Sequence, residues 1–296
     1  MQQDWRKGDP AIDHVSVGHI SVKAVREHPQ FPRARSILVD GLAGLYFDDR
    51  RLRSLIEYER GVMFMLIVSL DAAREPHDPS GGVTMRVLND ILPRMGIAPG
   101  RRIVDAVANL RRDGLLESTP ALHDGRVRLM RATPRAILAD CEWIRVFHAP
   151  LPILCPHVDY TPALVHDRAY QRAFRLAGLK TLAIADQIMS ANPPMDFFVR
   201  ETVGFRVLMV FMQFIRGRAD NRTGAGFYSR AAQHAGVSRT HVKNVMVRAA
   251  ARGYVALSDR RGDYVEACPV LLEAFDRWVA ESLSSIDRVR ACSVEA

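Results

Sequence analysis

Gly96-Ile97, then Asp113-Gly114-Leu115-Leu116, then Asp124-Gly125-Arg126, then Thr133-Pro134 form a series of landmarks that returns further along the chain. There it reads Gly236-Val237, Arg252-Gly253-Tyr254-Val255, Asp259-Arg260-Arg261 and Cys268-Pro269. In each copy a short helical stretch ends in Gly plus an aliphatic residue. A second amphipathic stretch stops at another Gly, and two short strand-like runs then flank an Asp-x-Arg. Glycine ends a helix with least strain, because the residue after the last turn commonly takes a left-handed conformation. The separation of matching landmarks drifts: it is 144 at Arg74/Arg218 and Gly82/Gly226, 140 at Gly96/Gly236, 139 at Gly114/Gly253 and 135 at Asp124/Asp259. A drifting offset is what a duplication followed by small insertions produces.

Reading outward, an apolar helix is predicted over Leu52–Arg74 in the first copy and Val199–Arg218 in the second. Each runs into a turn-rich loop, Glu75–Gly82 or Ala219–Gly226. The first helix of the pair spans Val83–Met95 in the first copy and is shorter in the other. The second spans Pro99–Asp113 or Ser238–Arg252, with Ile103, Val104, Val107, Leu110 and Val242, Val245, Met246, Ala249 at core-facing spacing. Ser238 suits an N-cap, and Pro99 a first helical position. Ribbons follow at Leu115–Ser118 with Val127–Arg131 and at Tyr254–Ser258 with Tyr264–Cys268, then helices Pro134–Val146 and Pro269–Val289. The Pro-rich stretch Ala149–Pro162 reads as an extended crossing. Residues 163–190 read as helical up to a break at Asn192-Pro193-Pro194, and Ser36–Tyr46 is their N-terminal analogue. The fold class expected is mainly α with small β wings: two tandem winged helix-turn-helix domains packed through long helices. They divide as 1–148, with an N-terminal arm, and 149–296, with the linker helix.

Composition sets broad bounds. The 296 residues are 48% hydrophobic and 25% charged, the balance of an ordinary globular protein, and the formal net charge is +8. Both halves are basic, with 22 Lys+Arg against 19 Asp+Glu in residues 1–148 and 19 against 14 in the remainder. That favours a polyanionic partner, although many enzymes are as basic. Nearly all the positive charge is Arg, with Lys only at 7, 23, 180 and 243. The four cysteines (141, 155, 268, 292) are widely spaced and form no Cys-x-x-Cys pair, so neither a disulfide framework nor a zinc site is expected. His157, His166 and Asp167 near Cys155 match no metal-ligand spacing. Cys155 itself reads as a buried thiol or, alternatively, an oxidant sensor. The first ten residues lack the apolar stretch of a signal peptide. The most apolar runs, Val62–Leu70 and Val207–Ile215, are about half of the roughly 20 residues a spanning helix needs. A cytoplasmic protein without membrane partners is the expectation. No phosphate-binding Gly loop, nucleophile signature or metal spacing suggests an enzyme, and no cofactor is expected.

The order of apolar helix, helix-turn-helix, Asp-x-Arg wing, Thr-Pro and long helix resembles the MarR family of bacterial transcriptional regulators. The wing of the first copy carries the resemblance: Asp124-Gly-Arg126-Val-Arg-Leu-Met-Arg-Ala-Thr133-Pro134-Arg-Ala136. Ala136 and Leu271 depart from the family's preferred Gly, and Cys268 replaces the Thr in the second copy. The resemblance implies that Arg126 and Arg261 enter the minor groove from wing tips, oriented by Asp124 and Asp259. It also implies that two repeats in one chain are similar to a fused homodimer. The helices at 36–74, 134–146, 163–190 and 270–289 would then form its body, and the two recognition helices would stand about one DNA turn, roughly 34 Å, apart. A small-molecule effector, and a monomeric pseudo-dimer or homodimer, are further implications of the family.

The candidate DNA-reading residues are Ser238, Arg239, Thr240, His241, Lys243 and Asn244 in the second copy. Arg239 is suited to guanine and Asn244 to adenine. Arg101 and Arg102 are the candidates in the first copy, beside Asn109 and an Asp105 that would repel phosphate. Arg128, Arg131 and Arg260 are candidate phosphate contacts. A sequence-specific regulator bound to double-stranded DNA is the leading expectation. The alternatives are a plasmid-type replication initiator, which also joins two winged helices, and a winged-helix scaffold that binds protein.

Overall fold

The glycine after each second helix takes the conformation that its position asks for. Gly114 and Gly253 sit at φ 73° and 74°, and the residues after them, Leu115 and Tyr254, donate their N–H groups to Leu110 O and Ala249 O (2.9 and 3.0 Å). The same five-residue closure ends the preceding helices, from Ile97 to Leu92 O and from Val237 to Ala232 O (3.1 and 3.0 Å). Thr133 N–H to Leu115 O and Cys268 N–H to Tyr254 O (both 3.1 Å) then tie the end of each ribbon to its start. Matching bonds at matching places make the repetition structural as well as sequential.

These observations come from a computed structural model that describes residues 18–74, 82–94, 97, 100–121, 125–179, 189, 191–258 and 264–294. It is mainly helical, with two antiparallel sheets of two strands each among the described residues. The first half contains α1 (Val22–Glu27), α2 (Phe31–Gly44), a 3-10 turn (Arg53–Ile56), α3 (Tyr58–Ala72), α4 (Met85–Arg94), α5 (Gly100–Arg112), β1 (Leu116–Pro120), β2 (Arg128–Ala132) and α6 (Pro134–His148). The second contains α7 (Leu151–Leu154), α8 (Thr161–Leu164), α9 (Arg168–Gly178), α10 (Pro193–Arg200), α11 (Gly204–Ile215), α12 (Phe227–Ala235), α13 (Arg239–Ala250), β3 (Val255–Leu257), β4 (Val265–Ala267) and α14 (Pro269–Val294). β1 pairs with β2 from Leu116↔Ala132 to Pro120↔Arg128, and β3 with β4 from Val255↔Ala267 to Leu257↔Val265. One feature of both ribbons was not read from the sequence. Val83 bridges Met130 and Arg222 bridges Glu266, so the chain entering α4 or α12 lies along the second strand of its ribbon.

Several expectations are corrected. The helix expected over Leu52–Arg74 is broken at Glu57, whose backbone is extended (φ −68°, ψ 129°), and the one over Val199–Arg218 is broken at Val203, which is left-handed (φ 55°). Each break brings a backbone carbonyl close to a glycine: a Cβ on Gly61 would stand 2.5 Å from Leu55 O, and one on Gly204 would stand 2.5 Å from Phe198 O. The Pro-rich segment is not extended, because Pro152 and Pro162 lie in the first turns of α7 and α8, where a missing N–H costs nothing. Asn192 caps α10 by accepting the Met195 N–H (3.4 Å), so this triplet starts a helix as well as ending a segment. Most of 180–190, like the loop 75–81, lies outside the described residues. Val104 is 53% exposed. The buried face of α5 is instead Ile103, Ala106, Val107 and Leu110, a cleaner helical spacing.

The halves exchange helices. α2 packs on α6 of its own half and on α11 of the other, while α9 packs on α14 of its own half and on α3 of the other. Asp40 of α2 accepts from Arg216 (2.7 and 2.8 Å) and Gln213 (2.8 Å), and Arg172 of α9 donates to Ala72 O (3.0 Å). One continuous core results, running from Leu38 and Ile67 to Phe211, Phe275 and Leu283. Two buried polar centres inside it are matched. Asp140 is buried and accepts two bonds from the Arg175 guanidinium (2.9 and 2.6 Å) and one from Gln171 (2.6 Å). His148 is also buried. Its Nδ1–H donates to Ile144 O (2.7 Å), which leaves Nε2 to accept the Tyr170 hydroxyl (2.8 Å).

Two predictions follow from this packing. Gly204→Ala forces a methyl against a backbone carbonyl, and urea unfolding should show it less stable by about 1–3 kcal/mol. Burial pushes the His148 imidazole down to about 4. The unfolded chain therefore binds a proton that the folded chain refuses as pH falls from about 6.5 to 4, and the fold should lose about 3 kcal/mol over that window. In His148→Gln the slope of Tm against pH between 6.5 and 4 should flatten; an unchanged slope would show that other groups cause it.

Candidate nucleic-acid interface

Ser238 opens α13 in extended conformation (ψ 154°), and its hydroxyl oxygen accepts the His241 N–H (3.1 Å), so the first turn is capped. Val242, Val245, Met246 and Ala249 are buried, which turns the opposite face outward. Arg239, Thr240, Lys243 and Asn244 are all exposed on that face, alongside Val247. None of the first four side chains has a hydrogen bond or ion pair among the described residues. Two flexible cations, a hydroxyl and an amide held on one rigid helix face suit phosphates and base edges alike. His241 does not join them. It is half-buried and its Nε2–H donates to Thr202 O (3.3 Å), tying the start of α13 to the loop before α11. At the other end Arg248 forks onto Glu201 (2.9 and 2.6 Å), so that loop holds α13 at two points. Only the long-range fold reveals this clamp, for nothing near Arg248 in sequence is acidic.

The first copy presents a different face. Arg101 is exposed and makes no ion pair among the described residues, whereas Arg102 donates to Glu59 of α3 (2.8 Å). Asn109 is occupied by Arg112 (2.6 Å). Val104 and Asp105 fill the centre of the exposed face, so α5 has less to offer a base edge than α13. On the ribbon, Arg126 is exposed just past the turn at Gly125, and Arg128 lies across β1, donating to Ser118 Oγ (3.3 Å) and Ser118 O (3.1 Å). Arg131 faces inward. Its guanidinium is 3.6 Å from Asp71 of α3, which also accepts the Ala132 N–H (3.0 Å), so it anchors the ribbon to the body and is not a phosphate contact. Asp124, Asp259, Arg260 and Arg261 lie outside the described residues.

Cys155 is buried and burial pushes its thiol up, which argues against a reactive thiolate there. His166 lies 3.2 Å from Glu142 and Asp167 caps α9 through Tyr170 N–H (2.7 Å). Among the described residues no cluster of three or more His, Cys, Asp or Glu side chains is placed to hold a metal ion, and no helix is long and apolar enough to cross a membrane. No protein-family model matches the chain, and no curated protein or solved structure matches it either.

Removing the Ser238 hydroxyl should leave one first-turn amide of α13 unsatisfied. Ser238→Ala is expected to cost about 1 kcal/mol in denaturant unfolding, and Ser238→Asp, which keeps an acceptor, to cost much less.

Proposed function

We propose that the chain is a sequence-specific double-stranded DNA-binding regulator, a tandem MarR-like winged helix-turn-helix protein whose two halves mimic a dimer. The observation that carries this reading is the capped, outward face of α13, where Arg239, Thr240, Lys243 and Asn244 stand without partners among the described residues. The repeated architecture supports it: in each half a strand segment, two helices and a ribbon follow in the order of a winged helix. The exchange of α2 and α9 supports the pseudo-dimer, because each half completes the other's body.

On this reading α13 enters the major groove and supplies base contacts. α5, with Arg102 held by Glu59 and Val104 and Asp105 exposed, contributes mainly backbone contacts through Arg101. Arg126 and Arg128 on one ribbon, and Arg260 and Arg261 in the other, would contact flanking phosphates or the minor groove. The operator is then asymmetric, with one strong half-site and one weak one.

Selection of genomic fragments by the purified chain should enrich one shared sequence, with affinity falling steeply between two salt concentrations as counterions are released. Arg239→Ala should weaken the selected site by about 5–150-fold, the range of a lost bidentate base contact, and Arg101→Ala should weaken all sequences alike. Absence of enrichment at either salt, or an unchanged affinity in Arg239→Ala, would overturn this reading. Enrichment of directly repeated sites at a replication origin would move it to a replication initiator.

A further inference from the structure

A cleft of about 600 Å3 lies where the two halves meet, walled by residues 50–60 of the first half and 199–206 of the second, with Arg102 of α5 at its side. Six guanidiniums line it (Arg50, Arg53, Arg60, Arg102, Arg200 and Arg206) against two carboxylates, Glu57 and Glu59. Three of the six are engaged by the protein: Arg53 donates to Phe47 O (2.8 Å), Arg102 to Glu59 (2.8 Å) and Arg200 to Asp196 (2.6 Å). Arg50, Arg60 and Arg206 have no hydrogen bond or ion pair among the described residues. Glu57, the carboxylate beside them, is turned to the Val203 N–H (3.2 Å).

Arg206 is the decisive group. It is only 5% exposed, it lines the cleft, and its Nε is enclosed without a hydrogen-bond partner. A buried guanidinium nitrogen without a hydrogen bond is unfavourable, and Glu57 acts on Arg206 through its charge without bonding it, so an acceptor from outside the chain would satisfy the group. The surroundings add to the positive field. Arg206 stands in the first turn of α11, whose N-cap, Val203, offers no side-chain acceptor for the free amides. Val203 is also a β-branched residue held left-handed (φ 55°), a strain of the kind that gathers at binding sites.

We infer that this cleft binds a small, multiply charged oxyanion, a diphosphate or phosphate ester, with Arg206 at its floor and Arg50 and Arg60 at its mouth. Guanidinium forks match phosphate oxygens in geometry as well as charge. The ligand would touch both halves. It would also lie against Arg102, in the first turn of α5, and against Thr202, whose carbonyl holds His241 of α13. The site does not depend on whether the chain binds DNA.

Inorganic pyrophosphate is the probe, titrated into the full chain by calorimetry and followed by thermal unfolding, with sodium chloride at matched ionic strength as the control. The wild type should bind and be stabilised by pyrophosphate beyond the chloride effect. Arg206→Met should raise the ligand-free Tm by about 2 °C or more while weakening pyrophosphate about tenfold or more, a pairing that a merely structural arginine would not give. Arg60→Gln, at the exposed mouth, should leave Tm unchanged and weaken binding several-fold. Stabilisation no greater than with chloride would overturn the site, as would a lower ligand-free Tm in Arg206→Met with unchanged affinity. Repeating the titration with bound duplex separates two sources of the oxyanion. Lost binding assigns it to the DNA backbone, retained binding to a free ligand, and either result upholds the oxyanion site.

Discussion

Asp287 sits about two turns from the end of α14, only 1% exposed, and takes hydrogen bonds from three parts of the chain. Tyr160 donates its hydroxyl (2.8 Å), Arg290 its Nε (2.7 Å) and Ile20 its backbone N–H (2.8 Å), while a second nitrogen of Arg290 reaches Gly18 O (2.8 Å). A carboxylate this deep is tolerable only because its oxygens are so fully bonded, and losing any one donor would leave a buried charge short of partners. The knot ties the start of the described chain, the segment between the halves and the last helix to one point. α1 and α9 both lie against α14 beside that tie.

One shared core has a mechanical consequence. Two independent domains on a linker would sample many separations, and their joint binding would follow the linker's reach. Here α2 and α9 each cross to the opposite half, and their buried faces cannot leave it without exposing Leu38, Val39 or Phe174. The second helices of the two repeats are therefore held at a set spacing by hydrophobic burial. On the proposed reading the body is a ruler: it selects DNA by the distance between grooves as well as by the residues in them.

The sequence disclosed what is local and withheld what is distant. Gly114, Gly236 and Gly253 mark helix ends because a left-handed residue is needed there, and Ser238 marks a start because its hydroxyl is an acceptor; both follow from a few adjacent residues. The core face of α13 was legible for the same reason, as periodicity is a local pattern. Val104 misled because a valine three residues before the buried Val107 imitates the helical stripe. The bridges at Val83 and Arg222, the Arg248–Glu201 clamp, the inward turn of Arg131 and the capture of Arg102 by Glu59 involve partners 40 to 60 residues apart. No spacing rule encodes such pairs. Arg206 was hidden most deeply: in sequence it is one polar residue in an apolar helix, and only the folded chain reveals that it faces a cleft lined by arginines from both halves.

On the proposed reading, fusion also changes what each half is free to become. In a homodimer every substitution appears at both heads, so a residue that weakens one weakens both. In a tandem chain it appears once, and the outer faces of α5 and α13 differ. α13 keeps a capped, polar outer face, while α5 exposes Val104 and Asp105 and gives one arginine to Glu59. Glu59 lies beside the arginine-lined cleft, so the same ion pair that removes Arg102 from the outer face brings it to the cleft wall. A loss at the reading surface and a gain at the junction of the halves are thus two sides of one contact. An exposed ion pair of this kind adds little stability of its own. Its position links α5 directly to the cleft wall, whereas α13 is linked to it through the 201–203 loop, by Thr202 with His241 and by Glu201 with Arg248.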